Sequence, residues 1–509
     1  MTWTQEEIDA CVARLELDGQ KVSTAVQGRA FVDGSYVPAT SGEWLTSSNP
    51  ATNRVVAQIA ACDKVDVDKA VKAARRAFEQ GVWSDKSPEE RKDILLKFAS
   101  LIEEHTLELA VLDSVEAGKI ISDNLEADVP GTAKCFRYHA EAINKVYDHV
   151  APTGPKSLGL IVREPVGVVG LIVPWNFPLL MAAWKLAPAL ATGNSVVLKP
   201  AEFTSLSAIK LGELANQAGI PPGVFNVIPG LGHKAGAAIA EHMDIDMVGF
   251  TGSTVTGRKV LAASAASNLK RVSLELGGKS PQVVFADADL ETAVENIMSA
   301  AFWNQSENCS CGSRLIVHKD IKAKLLEKMK EAAMSDDWKV GDPLQLSSKC
   351  GAMISPQHCE KVLGYIAKAR EEGAECVLGG ERILESTGGD FVGLTIFDKV
   401  TNDMTLAKEE VFGPVLSVLE FDTELEAILT ANNTTYGLAA SVYTTNIHRA
   451  MRVSRKLQAG NVSVNCFAEG DDSTPFGGYR QSGFVGRDKS IFAHEQYQEI
   501  KTIWYQIDE

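Results

Sequence analysis

Asn194-Ser195-Val196-Val197-Leu198-Lys199-Pro200-Ala201-Glu202 is a short β-branched run closed by a proline, and it sits in a strict alternation. The patterns that follow predict a strand over Asn194–Leu198, a helix over Ser205–Ala218, a strand over Val224–Ile228, a helix over Lys234–His242, a strand over Asp246–Phe250, a helix over Val255–Ala266 and a strand over Arg271–Leu276. Strands and helices alternating at this spacing imply right-handed crossovers and a parallel sheet covered on both faces. After Gly277 the alternation resumes. Gln282–Phe285, Ser313–Val317, Val415–Phe421, Ala440–Tyr443 and Asn461–Asn465 read as strands, with helices near Leu290–Trp303, Ile321–Ser335, Pro356–Glu372 and Leu425–Ala431. Two α/β units therefore meet near Glu275–Gly278. Upstream, Asp63–Asn144 has helical apolar spacing throughout, and Leu158–Val169 and Gln498–Tyr505 read as strands belonging to neither core.

Of 509 residues, 45% are hydrophobic and 23% charged. That balance suits a folded globular chain and excludes disordered, collagen-like and disulfide-miniprotein classes. Fifty Lys and Arg against 66 Asp and Glu leave a formal net charge of -16. A chain this acidic repels phosphate backbones, so no nucleic-acid partner is expected. Nine cysteines, an odd number spread along the chain, suit free thiols in a reducing compartment. Met1–Leu17 carries Glu6, Glu7, Asp9 and Glu16 and no basic apolar leader, so no signal peptide is expected. The uncharged stretch Pro165–Trp184 contains Pro165, Pro174, Pro178, Gly167 and Gly170, which would repeatedly break a lipid-spanning helix. It reads as a buried strand followed by a packed turn, and a cytoplasmic protein without a membrane partner is expected.

Ligands of parallel sheets sit beyond the strands' carboxyl ends at switch points. Phe250-Thr251-Gly252-Ser253-Thr254 would open a helix at Val255 and offer free N–H groups to a pyrophosphate. Pro229-Gly230-Leu231-Gly232, with Gly236 one turn on, opens another. Neither has the G-x-G-x-x-G spacing, and both also read as tight connections between strand and helix. Glu202, one turn past a strand end, could accept hydrogen bonds from two ribose hydroxyls and would repel a 2′-phosphate, favouring NAD over NADP; without further context it reads first as an ordinary charge at a helix start. Cys309 and Cys311 follow a helix end at Trp303-Asn304-Gln305 and precede the strand at Ser313. No second cysteine pair at zinc-like spacing and no H-E-x-x-H is present, so no metal site is expected. No histidine is obviously paired with a cysteine, which leaves a cysteine–histidine hydrolase without support.

Six motifs occur in order: Pro174-Trp175-Asn176-Phe177-Pro178, Lys199-Pro200-Ala201-Glu202, Gly249-Phe250-Thr251-Gly252-Ser253, Glu275-Leu276-Gly277-Gly278-Lys279, Glu410-Val411-Phe412-Gly413-Pro414 and Pro475-Phe476-Gly477-Gly478. With them the chain resembles the NAD(P)-dependent aldehyde dehydrogenase superfamily from about Gly28 to Ile503. Arg163-Glu164-Pro165-Val166-Gly167, Gly477-Gly478-Tyr479-Arg480-Gln481-Ser482-Gly483 and Gly486-Arg487-Asp488-Lys489-Ser490 make it similar to bacterial aminoaldehyde dehydrogenases of the γ-glutamyl-γ-aminobutyraldehyde type. The resemblance implies an α/β fold of two Rossmann-type parallel-sheet domains plus a small β oligomerisation arm. Residues 1–148 and 166–277 would bind NAD (or NADP), 278–485 would form the catalytic domain, and 149–165 with 486–509 the arm, which predicts a homodimer or homotetramer.

The resemblance also implies roles. Cys309 would attack the aldehyde as thiolate. Asn176 and the Cys309 N–H would hold the oxyanion, and Glu275 would activate the water that hydrolyses the thioester. Lys199 and Glu202 would bind the adenosine ribose, and Trp175 and Ser253 the pyrophosphate region. Glu410 and Phe412 would bind the nicotinamide riboside, with Gly232, Gly252 and Gly277 lining the cofactor site. Phe177, Met181, Trp184 and Phe467 would surround the aldehyde tunnel. Apart from the resemblance, Asp128 and the acidic patch Glu469–Asp472 could attract an amine at the tunnel mouth, and they read equally as surface charge. The chain departs from the family where Ser306-Glu307 replaces Gly-Gln. A lost glycine constrains the loop, and an inward carboxylate would raise the thiol's pKa. Oxidation of an ω-aminoaldehyde or γ-glutamyl-aminoaldehyde is the expectation. The alternatives are betaine aldehyde, a semialdehyde or an alkanal as substrate, a CoA-acylating dehydrogenase, a thioesterase without NAD and a non-catalytic homologue.

Overall fold

A computed structural model describes residues 3–507. Five parallel strands form the centre of the first sheet, in the spatial order Phe225–Val227, Ser195–Lys199, Val168–Ile172, Met247–Thr251, Arg271–Glu275. In chain order that is 3-2-1-4-5, so the connection reverses direction between Val168–Ile172 and Met247–Thr251. The crevice beyond the carboxyl ends of those two strands is where such sheets take ligands. The three middle strands are buried at every position, the signature of a sheet covered on both faces. Helices Lys64–Glu79, Pro178–Ala191 and Leu206–Ala218 supply part of that cover. Pro88–Glu104 and Val129–Ala142 add a second helical layer, joined by the edge-to-face pair Phe98–Phe136 at 4.7 Å.

The second sheet has seven strands, in the order Glu375–Leu378, Thr395–Asp398, Val415–Phe421, Arg314–His318, Pro281–Val284, Ala439–Tyr443, Asn461–Val464. All pairs are parallel except the Glu375–Leu378 edge. That edge strand and Thr395–Asp398 escape the sequence pattern because glycines surround short apolar runs there. A separate antiparallel sheet pairs Gln498–Gln506 with Ser157–Pro165 and that strand with His149–Ala151.

Two expectations need correction. Leu158–Val169 is not one outlying strand. The arm strand ends at Pro165, Gly167 turns the chain at φ 128°, and Val168 begins the middle strand of the first sheet. A side chain on Gly167 would strike the Asp246 carboxylate, which pairs with Arg75 at 2.5 Å and accepts the Val168 N–H at 2.7 Å. The uncharged stretch likewise does not end in a packed turn. From Pro178 it is a helix, with the proline in the first turn, where its missing N–H costs nothing. The short strand Gly483–Phe484 runs antiparallel to Leu274 and Glu275, so the chain returns to the first sheet before the arm. Among the described residues no helix is long and apolar enough to cross a membrane.

Gly460 donates its N–H to the Gly437 carbonyl at 3.0 Å, and a Cβ there would drive into the Gly477 carbonyl oxygen. Gly460→Ala is expected to cost about 1–3 kcal/mol by overpacking and to lower the thermal unfolding midpoint measurably. An unchanged midpoint would contradict this contact.

Candidate active site

The crevice at the switch point is a cavity of about 550 Å³ whose walls include Trp175, Lys199, Glu202, Gly232, Gly252 and Ser253. Lys199 ends its strand buried, with Nζ donating to the Pro200 carbonyl at 2.7 Å and lying 3.4 Å from Glu202 Oε2. Burial pulls its ammonium below the ordinary lysine range. Ser253 caps helix Thr254–Ala266, its Oγ accepting the Thr256 N–H at 3.3 Å. The helix therefore begins at Thr254, one residue before the predicted start, and its positive end faces the crevice. The hydroxyls of Thr251 and Thr254 are buried with no hydrogen-bond partner among the described residues. Orphan hydroxyls, a helix N-terminus and a half-exposed carboxylate suit the polar edges of a dinucleotide.

The crevice runs on into a second cavity of about 250 Å³, sharing Pro174, Trp175 and Thr251–Ser253 and reaching Asn176, Met181, Cys309, Glu410 and Phe412. Trp175 meets Phe412 edge-on at 5.3 Å and His358 at 5.6 Å, and His358 Nε2 sits 2.6 Å from the Phe412 carbonyl oxygen. Burial holds His358 neutral, with a pKa of about 4. His358 and Lys361 line this cavity without any signal in the sequence, since a histidine and a lysine in the first turns of a helix form no pattern. Glu410 accepts the Gly278 N–H at 2.9 Å, and burial pushes its carboxyl up to about 7. A side chain on Gly277 would collide with Glu410, and one on Gly278 with the Cys309 carbonyl oxygen.

Helix Leu290–Phe302 ends in a strained loop. Asn304, Gln305 and Ser306 have φ of 51°, 44° and 61°, a left-handed run that costs free energy for each non-glycine residue. Long-range hydrogen bonds hold it. Ser306 Oγ donates to the Ala301 carbonyl, Gln305 Oε1 accepts the Gly351 N–H at 3.2 Å, and Glu307 Oε1 accepts the Ile354 N–H at 3.0 Å. Glu307 Oε2 also accepts from Gln305 Nε2 at 3.1 Å, so this carboxyl points away from the thiol. Burial raises its pKa well above the carboxylate range. The Glu307 carbonyl accepts Asn176 Nδ2 at 2.8 Å, and Asn304 Nδ2 donates to the Asn176 carbonyl at 3.0 Å. These bonds fix Asn176 beside Cys309 and leave its second amide hydrogen free.

Cys309 faces the cavity half-buried, whereas Cys311 is buried behind the loop, its Sγ 3.4 Å from the Ala301 carbonyl. Burial raises the Cys309 thiol pKa, and Glu469, Glu410 and Glu275 push it further. Glu275 ends strand Arg271–Glu275 buried, and neither carboxylate oxygen has a partner among the described residues. Burial first and Asp488 second raise its pKa, against the pull of Lys185 and Arg487. A desolvated carboxyl with open lone pairs beside a thiol can take a proton from water.

The Aldehyde dehydrogenase family pattern matches residues 36–503. The chain belongs to the aldehyde dehydrogenase family. It is 52% identical over 502 residues, 98% of each chain, to the aminoacetaldehyde dehydrogenase of Pseudomonas aeruginosa. It superposes with a TM-score of 0.95 on an indole-3-acetaldehyde dehydrogenase complexed with NAD+, at 49% identity, covering 99% of this chain and 100% of that one. The γ-glutamyl-γ-aminobutyraldehyde dehydrogenase of Burkholderia cenocepacia gives 0.95 and 48% over the same shares. An aldehyde substrate and NAD chemistry follow from this membership.

In this aldehyde dehydrogenase only Met181 of the expected tunnel residues lines the cavity that holds Cys309. Phe177 packs on Trp303 at 5.1 Å, and Trp184 packs on Phe476 at 5.0 Å. Phe467 is anchored by its N–H to Asn296 Oδ1 at 3.0 Å, and it does not border that cavity. Asp128 does not lie at a tunnel mouth. It is buried and paired with the equally buried Lys119 at 2.5 Å, whose Nζ also lies 3.9 Å from the Phe177 ring centre. Its charge is thus already neutralised inside the protein. In the acidic patch, Asp471 and Asp472 pair with Lys134 at 2.8 and 3.3 Å, while Glu469 accepts from Ser310 Oγ.

The charges that act most strongly on the Cys309 thiol, those of Glu469, Glu410 and Glu275, are all negative, so its thiolate fraction should be small at neutral pH. Alkylation by iodoacetamide is expected to accelerate as pH rises through the alkaline range, above the usual thiol midpoint. Glu410→Gln should shift that profile to lower pH, because one opposing charge is gone. A profile centred near neutrality would contradict this electrostatic reading.

Proposed function

We propose that this aldehyde dehydrogenase oxidises an ω-aminoaldehyde or a γ-glutamyl-aminoaldehyde to the carboxylic acid, with Cys309 as nucleophile. One observation carries the reading: a thiol and a fixed amide line the cavity where a dinucleotide crevice ends, and the buried Glu275 carboxyl acts on that thiol. The names of the two aminoaldehyde-oxidising relatives support the substrate class.

Lys199 and Glu202 would hold the adenosine ribose, Trp175 and Ser253 the pyrophosphate region, and Glu410 and Phe412 the nicotinamide riboside. Gly232, Gly252 and Gly277 allow close backbone approach. Cys309 adds to the aldehyde carbonyl to give a thiohemiacetal, whose oxyanion takes hydrogen bonds from Asn176 Nδ2 and the Cys309 N–H. NAD, when bound, would supply the acceptor for the hydride that the thiohemiacetal loses. Glu275 removes a proton from water, and the hydroxide attacks the thioester left on Cys309 and frees the acid. A base that activates water favours hydrolysis over transfer to CoA. Glu202 near the ribose disfavours a 2′-phosphate, which supports NAD over NADP.

The arm supports a homodimer or homotetramer. Strand Gln498–Gln506 is an unpaired edge exposing Ile500, Trp504 and Tyr505, and bare apolar edges need cover. Nine free cysteines support a reducing, cytoplasmic setting.

Cys309→Ser is expected to abolish NADH production. Glu275→Gln should keep a first burst of NADH and then slow by roughly 10²–10⁴-fold as hydrolysis stalls. Full-rate turnover by either variant would overturn the mechanism. Initial rates with γ-aminobutyraldehyde, its glutamylated form, betaine aldehyde and simple alkanals, each with NAD and NADP, test the substrate class. The aminoaldehydes with NAD should lead, and Glu202→Gln should narrow the gap between NAD and NADP.

A further inference from the structure

We propose that Lys119 is a positioning residue for the oxyanion donor Asn176, acting through the aromatic pair Phe177 and Trp303. The inference rests on the role given to Asn176 above and adds a group that lines neither the dinucleotide crevice nor the cavity of the nucleophile.

Lys119 follows Gly118, which closes helix Thr106–Ala117 in the left-handed conformation at φ 71°. Its side chain is fully buried. Nζ lies 2.5 Å from Asp128 Oδ2, 3.9 Å from the ring centre of Phe177 and 5.0 Å from that of Trp303. The two rings meet at 5.1 Å with a tilt of 47°. Each ring belongs to the residue beside one of a bonded pair of asparagines, since Phe177 follows Asn176 and Trp303 precedes Asn304. Asn304 Nδ2 donates to the Asn176 carbonyl at 3.0 Å, and the Glu307 carbonyl accepts from Asn176 Nδ2 at 2.8 Å and Asn304 Nδ2 at 3.2 Å. The polar bonds and the ring contact are adjacent rungs between the same two segments. The ammonium closes the apolar rung.

The same stretch grips the nucleophile loop a second time, by its backbone. The Gly118 carbonyl accepts the Ala352 N–H at 3.0 Å, and Gly351 beside it donates its N–H to Gln305 Oε1. A Cβ on Gly351 would strike the Gly118 carbonyl oxygen. The end of one helix therefore reaches the loop before Cys309 from two directions.

An ion pair this deep is a poor source of stability, because both charges have lost their water and only their mutual attraction answers it. Asp128 Oδ1 has no hydrogen-bond partner among the described residues, so the pair is not fully satisfied. What an ammonium supplies and an alkyl chain does not is direction. It is drawn to the faces of aromatic rings, and the carboxylate fixes where it stands, whereas apolar packing has no such preference. Lys119 is absent from the walls of both cavities, so its effect on the reaction runs through the rings. Were they to slide, Asn176 would carry its free amide hydrogen away from the oxyanion, and the worth of such a donor depends on its placement.

The test is a cycle of variants read by the rate of the first NADH burst from propanal at saturating NAD, with the NAD dissociation constant and the thermal midpoint beside it. Lys119→Met/Asp128→Asn removes both charges together and leaves none unpaired in the core. It should slow the burst by roughly 10- to 100-fold, part of the 10²–10³ that an oxyanion donor is worth, with NAD affinity unchanged. Asn176→Ala should slow the burst further. Combining them should cost little beyond Asn176→Ala alone, since a group that acts through Asn176 then has nothing left to act on. A merely structural role would multiply the two losses. Trp303→Leu keeps the ion pair whole and removes one ring; it should give a smaller loss, again absent without Asn176, and it decides the matter if the paired variant does not fold. Losses that multiply in the combined variants, a burst at the wild-type rate in either folded variant, or a fall in NAD affinity matching the fall in rate overturns the assignment of Lys119. A wild-type burst in Asn176→Ala overturns the oxyanion reading itself, so the two failures are told apart.

Discussion

Close backbone contact between the two sheets is the constraint on which the rest depends. Strand Arg271–Glu275 ends the parallel part of the first sheet, and Pro281–Val284 starts the middle of the second. The residues joining them pass so near the nucleophile loop that Gly278 lies against the Cys309 carbonyl and Gly277 against Glu410. The Gly277 carbonyl accepts Ser482 Oγ at 2.6 Å, and the Lys279 carbonyl accepts Arg314 Nε at 2.9 Å, so both sheets grip the joint. A thiol from a loop of the second sheet and a cofactor-side carboxylate thereby share one cavity, and the Glu275 carboxyl that ends the first sheet's strand is near enough to act on the thiol. No element holds more than part of that set.

Electrostatics at this joint oppose the chemistry. Glu275, Glu410 and Glu469 all raise the thiol pKa on top of burial. Of the buried cations nearby, Lys185 is committed to Asp488 at 2.7 Å and Lys119 to Asp128, while Lys279 Nζ is buried with no hydrogen-bond partner among the described residues.

Strain is concentrated in the same place. Three consecutive non-glycine residues with positive φ precede Cys309, and they persist because Ala301, Gly351 and Ile354 hold their side chains or those of their neighbours. Ser306-Glu307, a departure that seemed to threaten the nucleophile, is absorbed this way. The serine binds back to the preceding helix, and the buried glutamate turns to Gln305 and the Ile354 N–H.

Much of this was legible in the chain. Val196-Val197-Leu198 and the alternation after it identify a parallel sheet, since period and turn residues are local properties. Six ordered motifs carry Glu275, Asn176 and the crevice residues, because each motif sits on a strand end or a tight turn whose geometry is short-range; Cys309 lies outside them and was assigned by the resemblance, between the helix end at Trp303-Asn304-Gln305 and the strand at Ser313. The directions and partners of buried charges were not legible. Asp128 read as a surface attractant and is an interior ion pair, Glu307 read as facing inward or outward with equal right, and His358 left no trace. Those outcomes depend on which residues, hundreds apart in sequence, packing brings within hydrogen-bond reach. The sequence by itself determined the layers, the strand ends and the chemical groups available. Only the tertiary structure decided which charges are neutralised and which stay open, because desolvation and pairing are properties of the packed neighbourhood.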